Sequence, residues 1–553
     1  MESYKHQQNI LFTDPQFPAD LSSLFNERNE LKEDSQIYML SLTWKRASEV
    51  LGNIGIENEN IQPNDIKQGS IGNCYFLSAL SSLAQYPERV LNMFENLQEQ
   101  KIGKYTIRFY IQGEPKLITI DDFIPVRSDN LPAFCHSQRN KVWPIILEKA
   151  WAKLHNGYQN SGAGHTDVAL SYLTGAPCKY VDNVKLGHNL WQTLLDSDKK
   201  LHIIASSVSM QKEEFKEIFK DNGLSNNHAY SVIKLQTAQL QDGKEERLIN
   251  LRNPWGKREF NGDWNKNDQR WTDDLKKKLA YEYLKDGEFW MSIFDFSTQF
   301  KHSQICMVND FFQRNFVKLQ AKKGQFYAFE FTVRQELDFE ELHLIAYQMD
   351  SKIGGIQYGA FDYSEVQMLI GRKETNQTIM NQFPIEYVAS RKAQKYETAI
   401  SNFEILIPGT YVLLLEVDWV QSFTQDIVIA AYSAQDIKLT QVQYDHSMLE
   451  NMLKSWQNKH SGKIKFNYRL LAEEDNNELL TQVLTYGRLQ QQNFHGRIIG
   501  VNLYDLCYKN GYLIYVENQT NIPGTSKFIK FEAINKESQI KFSYIYKFDI
   551  QDL

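Results

Sequence analysis

Cysteine is scarce in this chain. Five occur in 553 residues, Cys74, Cys135, Cys178, Cys306 and Cys507, widely spaced and odd in number. That argues against a disulfide framework and for a reducing compartment. No Cys-x-x-Cys pair occurs, so a structural zinc site is not expected. No run of about eighteen apolar residues exists, so no transmembrane helix is expected. Met1 to Asn9 is polar and lacks the apolar core of a secretion signal. A basic excess is missing as well. Lys and Arg total 61 against 68 Asp and Glu, a formal charge of −7, which argues against bulk nucleic-acid binding. No fixed short repeat and no long low-complexity tract is found, although Gln490-Gln491-Gln492-Asn493 is amide-rich. What is present is ordinary globular composition, 42% hydrophobic and 23% charged. The length suits about three or four domains. A cytoplasmic protein is the expectation.

The most informative stretch is Gln68-Gly69-Ser70-Ile71-Gly72-Asn73-Cys74-Tyr75-Phe76-Leu77. A cysteine follows a glycine-rich turn and precedes Phe76, Leu77, Leu80, Leu83 and Ala84, apolar at roughly helical spacing. Cys74 is therefore predicted at a helix N-terminus, where the dipole and free N–H groups favour an anion. Such a site lowers a thiol pKa from about 8.5 toward ~3.5–7.5. The Cys74 N–H would point where an oxyanion forms, and the Gln68 amide could reach the same oxygen. From this segment alone, a buried structural cysteine on an amphipathic helix is an equally good reading.

A second region shifts the balance. Asn227-His228-Ala229-Tyr230-Ser231-Val232-Ile233-Lys234-Leu235 reads as a strand beginning at the histidine. Glu246 to Asn253 reads as a strand stopping before Pro254, with the turn Gln241-Asp242-Gly243-Lys244 between them. Antiparallel pairing sets the start of the first beside the end of the second, and so His228 beside Asn253. The carboxamide would orient the imidazole and leave its other nitrogen for a thiolate. Cysteine, histidine and asparagine in this order form the thiol version of the nucleophile, base and orienter set. Singly, a strand histidine is usually a satisfied polar residue and an Asn before Pro a turn former.

With these residues in view, the chain resembles the calpains, papain-like cysteine proteases of the cytoplasm regulated by calcium. The resemblance is carried by Gln68-Gly69 through Gly72-Asn73-Cys74, by His228-Ala229-Tyr230-Ser231-Val232 and by Arg252-Asn253-Pro254-Trp255-Gly256. Flanking matches are Phe17-Pro18-Ala19-Asp20, Ser22-Ser23-Leu24-Phe25, Trp44-Lys45-Arg46, Trp143-Pro144, Leu147-Glu148-Lys149-Ala150, Ala152-Lys153-Leu154 and Asp286-Gly287-Glu288-Phe289-Trp290-Met291. It covers roughly residues 10–310. It implies Cys74 as nucleophile, His228 as base and acid, Asn253 as orienter, Gln68 with Cys74 as oxyanion hole, and Trp255 as a cleft-wall shield of the His–Asn pair. The family usually carries Asp before the cysteine and Trp after it; here stand Asn73 and Tyr75. Tyr75 is expected to keep an aromatic face for the cleft wall.

The resemblance also implies two calcium ions, one per half of the core, held by carboxylate and carbonyl oxygens. Asp65 matches a ligand in the first half, and Glu259, Asp286 and Glu288 match ligands in the second. Each half has lost a carboxylate. Gln159 follows Tyr158, and Lys266 stands two residues after Trp264. Lys266 would repel an ion or replace it with a salt bridge. Weakened calcium binding, or an active form assembled partly without calcium, is expected.

The expected fold class is α+β: a two-lobed papain-like core followed by C2-like β-sandwiches. A lead-in spans residues 1–60, with a helix expected over 37–51. The nucleophile lobe spans 61–195 and contains a hairpin turning at Gln112-Gly113-Glu114-Pro115 and a helix over 145–155. The His/Asn lobe spans 196–302. One C2-like sandwich spans 303–436, and a second of related type spans 437–553. No Asp-x-Asp-x-Asp-Gly loop ending in Glu occurs, so an EF-hand domain and a small EF-hand subunit are not expected. Protein substrates, a monomer and peripheral membrane contact through the sandwiches complete the expectation. The function implied is an intracellular endopeptidase. Two rivals stand beside it: a non-catalytic calpain-like binding protein, and a transglutaminase-like acyl transferase, whose histidine is oriented by aspartate rather than by an asparagine such as Asn253.

Overall fold

The structure is a computed structural model. It describes residues 10–25, 33–52, 55–56, 60–137, 139–208, 222–240, 243–257, 259–279, 281, 287–338, 340–350, 353, 363–373, 384–401, 403, 405–420, 424–460, 488–490, 501–508, 511–518, 527–534 and 541–548. The chain is α+β and divides into two compact units. The first takes residues 1–368, 390–408 and 415–441; the second takes 369–389, 409–414 and 442–553.

In the first unit the helix Cys74–Leu83 runs through a core. Phe76, Leu77, Leu80 and Leu83 are buried, and Phe76 stacks on Trp151 with ring centroids 4.5 Å apart. Trp151 comes from the helix Trp143–Leu154, which starts with Pro144 in its first turn, where a missing N–H costs nothing. The hairpin Lys104–Ile111 with Glu114–Asp121 pairs Ile111 with Glu114. Its turn is therefore only Gln112-Gly113, both at positive φ (52° and 77°), tighter than the four-residue turn expected.

The lead-in departs from expectation. No single helix spans 37–51. A helix Glu33–Leu40 is followed by the strand Thr43–Arg46 and then the short helix Ala47–Leu51. Pairing wins over helix periodicity here: Thr43–Arg46 joins Phe123–Val126, and the buried Arg46 guanidinium lies 2.5 Å from Asp122.

The histidine lobe is a six-stranded antiparallel sheet. In spatial order it runs Cys178–Asp182, His302–Cys306, Ile203–Val208, His228–Gln239, Glu245–Arg252 and Glu288–Ser292. Its edge strand Cys178–Asp182 thus comes from sequence before residue 195. Beyond it, Gln313–Lys322, Thr424–Ser433, Leu342–Tyr347 and Glu397–Ile400 make a four-stranded antiparallel sheet of the first unit. Strand runs expected at 316–319, 342–347 and 427–432 fall inside it.

The second unit holds parts of the strands Glu365–Lys373, Ile385–Gln394 and Gly409–Asp418 and the helix His446–His460. It also holds the hairpins Val501–Tyr508 with Gly511–Asn518 and Lys527–Ile534 with Lys541–Phe548. The run expected at 463–466 and most of that at 497–501 lie outside the described residues.

Candidate active site

Cys74 opens its helix, as the spacing predicts. Asn73 is the residue before it, yet its side chain does not cap the helix. Its amide donates instead to the Glu148 Oε1 at 2.7 Å, and the other Glu148 oxygen accepts the Cys135 N–H at 2.7 Å. Burial raises the Glu148 pKa to about 7. An aspartate at 73 would face that carboxyl with a second negative charge, so the amide suits the site better. Gly69 is needed for approach: a Cβ there would lie 2.1 Å from the Phe134 carbonyl oxygen.

His228 opens its strand, and Asn253 follows the last residue of Glu245–Arg252. Ser231 stands opposite Arg252 in the ladder, which carries the two ends side by side. His228 Nε2 and Asn253 Oδ1 are 2.8 Å apart. The same Oδ1 accepts the Trp255 N–H at 3.0 Å, which fixes it as the oxygen. His228 Nε2 must therefore carry the hydrogen, leaving Nδ1 as the basic nitrogen. The Trp255 ring covers the imidazole, with centroids 4.2 Å apart. His228 is 3% exposed and Asn253 0%.

The thiol does not behave as its helix position alone predicts. Burial pushes the Cys74 pKa above its ordinary value, while the backbone N–H groups of Ala229, Tyr75 and Cys74 pull it down only in part. Burial likewise drives His228 down to about 4, against the Asn253 hydrogen bond that raises it. Burial thus favours the neutral form of each group. Desolvation of two charges outweighs the helix dipole. The influence of the Ala229 N–H on the sulfur also puts the thiol next to the histidine strand.

Gln68 Nε2 donates to the Ile71 carbonyl at 2.6 Å, which uses one of its two amide hydrogens. Its backbone N–H donates to Pro254 O at 2.9 Å, tying the segment before Cys74 to the residue after Asn253. Tyr75 is not a cleft wall. It is 4% exposed, donates to Ser161 O at 2.8 Å and accepts from Trp151 Nε1 at 3.2 Å. A phenol in place of an indole brings a hydroxyl that finds both partners in the core.

Sequence reasoning missed the seam between the lobes. Ser78, Ser81 and Ser82 lie at i, i+3 and i+4, one stripe of the helix Cys74–Leu83, and Gln85 follows in the turn after it. Ser231 Oγ donates to Ser78 O at 2.8 Å, Ser82 Oγ to Ile204 O at 3.0 Å, and Gln85 Nε2 to Val232 O at 2.9 Å. Arg252, fully buried, reaches back from the sheet to Ser81 Oγ at 3.3 Å and to Ile66 O. The signal was present as a polar stripe at helical period and an arginine beside the orienting asparagine.

The carboxylates matched to calcium ligands are not left as an open oxygen cage. Asp65 is fully buried, and Arg139 donates to its Oδ1 through Nε at 2.8 Å and through Nη2. Its Oδ2 accepts from Trp143 Nε1 at 3.2 Å and from Gln62 N at 2.9 Å. Glu259 lies 3.3 Å from the Lys266 ammonium. Glu288 stands opposite Arg252 in the ladder, and Asp286 lies outside the described residues. Among the described residues no group of three or more His, Cys, Asp or Glu side chains could hold a metal ion.

Residues 12–307 match the family described as calpain family cysteine protease. The chain is 32% identical over 313 residues to the calpain-type cysteine protease ADL1 of Oryza sativa subsp. japonica, covering 54% of this chain and 14% of that protein. It is 32% identical over 304 residues to Calpain-8 of Rattus norvegicus, covering 54% of this chain and 42% of that one. The chain thus spans less than half the length of these relatives. A solved structure of the cysteine protease and lectin-like domains of Cwp84, a surface layer associated protein of Clostridium difficile, matches at 11% identity and a TM-score of 0.21, over 66% of this chain and 86% of that one.

Proposed function

Since the chain belongs to the calpain family of cysteine proteases, we propose that it is an endopeptidase cleaving protein substrates with Cys74 as nucleophile. The observation that carries this is the 2.8 Å His228 Nε2–Asn253 Oδ1 hydrogen bond under the Trp255 ring, beside an uncapped helix that begins at Cys74. His228 Nδ1 takes the thiol proton as the sulfur attacks the peptide carbonyl. A buried neutral pair becomes a thiolate and an imidazolium in the same step, and Asn253 stabilises the imidazolium through Nε2–H. The tetrahedral oxyanion is met by the Cys74 N–H and the second amide hydrogen of Gln68. Each such donor is worth roughly 10²–10³ in rate. The imidazolium then protonates the leaving amine, and water activated by His228 hydrolyses the thioester.

The reading extends to a monomer in the cytoplasm, acting on protein and not on nucleic acid. The strands after residue 307 are read as C2-like sandwiches able to meet a membrane surface. Among the described residues no helix is long and apolar enough to cross a membrane.

An epoxysuccinyl thiol probe tests the assignment. Mass-spectrometric mapping should place the label on Cys74 in preference to Cys135, Cys178 and Cys306, and Cys74→Ala should abolish both labelling and casein cleavage while leaving the thermal midpoint near that of the parent. Absence of selective labelling would support a binding protein instead, and incorporation of an amine into a glutamine substrate would support an acyl transferase.

A further inference from the structure

We propose that cations of the chain itself occupy the positions where this core would take divalent ions, so that its lobes meet and its protease site works without calcium. The inference rests on the protease reading for its activity arm, and deepens it.

The first position is Asp65. Burying a carboxylate is costly unless it is paired and hydrogen-bonded. Here the cation is already present: Arg139 grips Oδ1 through Nε, at 2.8 Å, and Nη2. Trp143 Nε1 and Gln62 N–H fill Oδ2. Calcium takes about 6–8 oxygen ligands at roughly 2.3–2.6 Å. To bind, it would have to expel a guanidinium and break charge-assisted hydrogen bonds, leaving Arg139 without its carboxylate partner.

At the second position the matched ligand Glu259 faces a lysine, and the loop that carries it, after Glu245–Arg252, also holds Asp263 and Asp268. Lys266 sits 3.3 Å from Glu259, and Arg270 bridges Asp263 at 3.1 Å and Asp268 at 2.5 Å. Asp268 also accepts the backbone N–H of Trp264 at 2.7 Å and of Arg270 at 2.9 Å. The Arg270 guanidinium packs over the Trp264 ring, 4.6 Å from its centroid. The hydrogen bonds from Arg270 hold the Asp268 pKa down to about 2. The loop is thereby folded around two side-chain cations.

The two lobes are joined by hydrogen bonds across the seam. Gln68 N–H to Pro254 O, at 2.9 Å, and Arg252 to Ile66 O and Ser81 both cross from one lobe to the other.

The test uses the full chain in chelator and in about 5 mM calcium. Casein cleavage and probe labelling at Cys74 are expected to differ less than about twofold between the buffers. A calcium stimulation of about tenfold or more overturns the inference. A second readout separates this from failure of the protease reading. If neither buffer supports cleavage, the protease reading fails, and the thermal midpoint decides: a bound ion raises it by mass action. A midpoint unchanged within about 1 °C upholds the inference. A rise of several degrees that disappears in Asp65→Asn or Glu259→Gln overturns it, and a rise that survives both substitutions places the ion elsewhere and leaves the inference standing. Arg139→Ala sharpens the result. Rates in chelator should fall about tenfold and recover with calcium, which then fills the vacated charge. An Arg139→Ala chain as active in chelator as its parent contradicts the role assigned to Arg139.

Discussion

At the scale of single residues, the chemistry turns on how burial treats Cys74 and His228. A solvated thiol at a helix N-terminus would ionise readily, and a solvated imidazole would titrate near 6.5. Here burial raises the thiol and lowers the imidazole to about 4. The productive state carries one proton across the pair. Adding a second protonates His228, so the acid limb of kcat/KM should fall near pH 4 and not near 6.5. The alkaline limb follows thiol ionisation, above the ordinary cysteine value. A pH–rate profile of peptide cleavage checks this, and an acid limb near 6.5 would mean that the imidazole is solvated. The placement of Cys74, His228 and Asn253 on their elements was legible in the sequence because each rests on a local rule. Cys74 follows a glycine turn, His228 begins a β-rich run, and Asn253 precedes proline. The pKa shifts were not legible, because they depend on what the fold packs around these groups.

At the scale of elements, one helix and one sheet meet through a polar seam. Apolar periodicity correctly gave the helix Cys74–Leu83, and two paired strands correctly joined His228 to Asn253. The serine stripe at 78, 81 and 82 was overlooked because serine on a helix usually signals solvent, and only the sheet shows that this face is buried. The lead-in failed for a related reason: Thr43–Arg46 becomes a strand through pairing with residues 123–126, far along the chain. Arg252 is the seam's key residue. It sits beside Asn253 and binds the segment that carries Gln68 and the helix that carries Cys74. A displacement of about 1 Å at such a site can cost roughly 10²-fold in rate. Arg252→Met should therefore lower kcat about 10²-fold while KM changes little, and steady-state kinetics on a fluorogenic peptide would show it. A change confined to KM would assign Arg252 to substrate binding.

At the scale of the molecule, the protease core is not separable from the sheet that follows it in the first unit. Ile345, Tyr347, Tyr396, Val428, Ala430 and Tyr432 belong to the same buried cluster as Phe76 and Trp151. Tyr172 reaches Asp350 at 3.1 Å, Tyr396 accepts the Gln112 N–H at 3.1 Å, and Arg314 donates to Thr174 O at 2.6 Å. A chain cut after Val308 loses these partners and exposes Tyr172 and Trp151 neighbours to water. It should unfold at a lower temperature than the full chain and bind a hydrophobic dye, as thermal denaturation would report. An equal midpoint would show that the core folds alone. The alternation of the β-rich runs was readable here, but their docking on the nucleophile lobe was not, since it joins residues separated by 140 to 284 positions. The most direct test of the whole account is casein hydrolysis by the purified full chain, compared with Cys74→Ala and His228→Ala. The account predicts turnover by the parent and loss of it in both variants. Cleavage that persists in Cys74→Ala, or a parent that never cleaves, contradicts it.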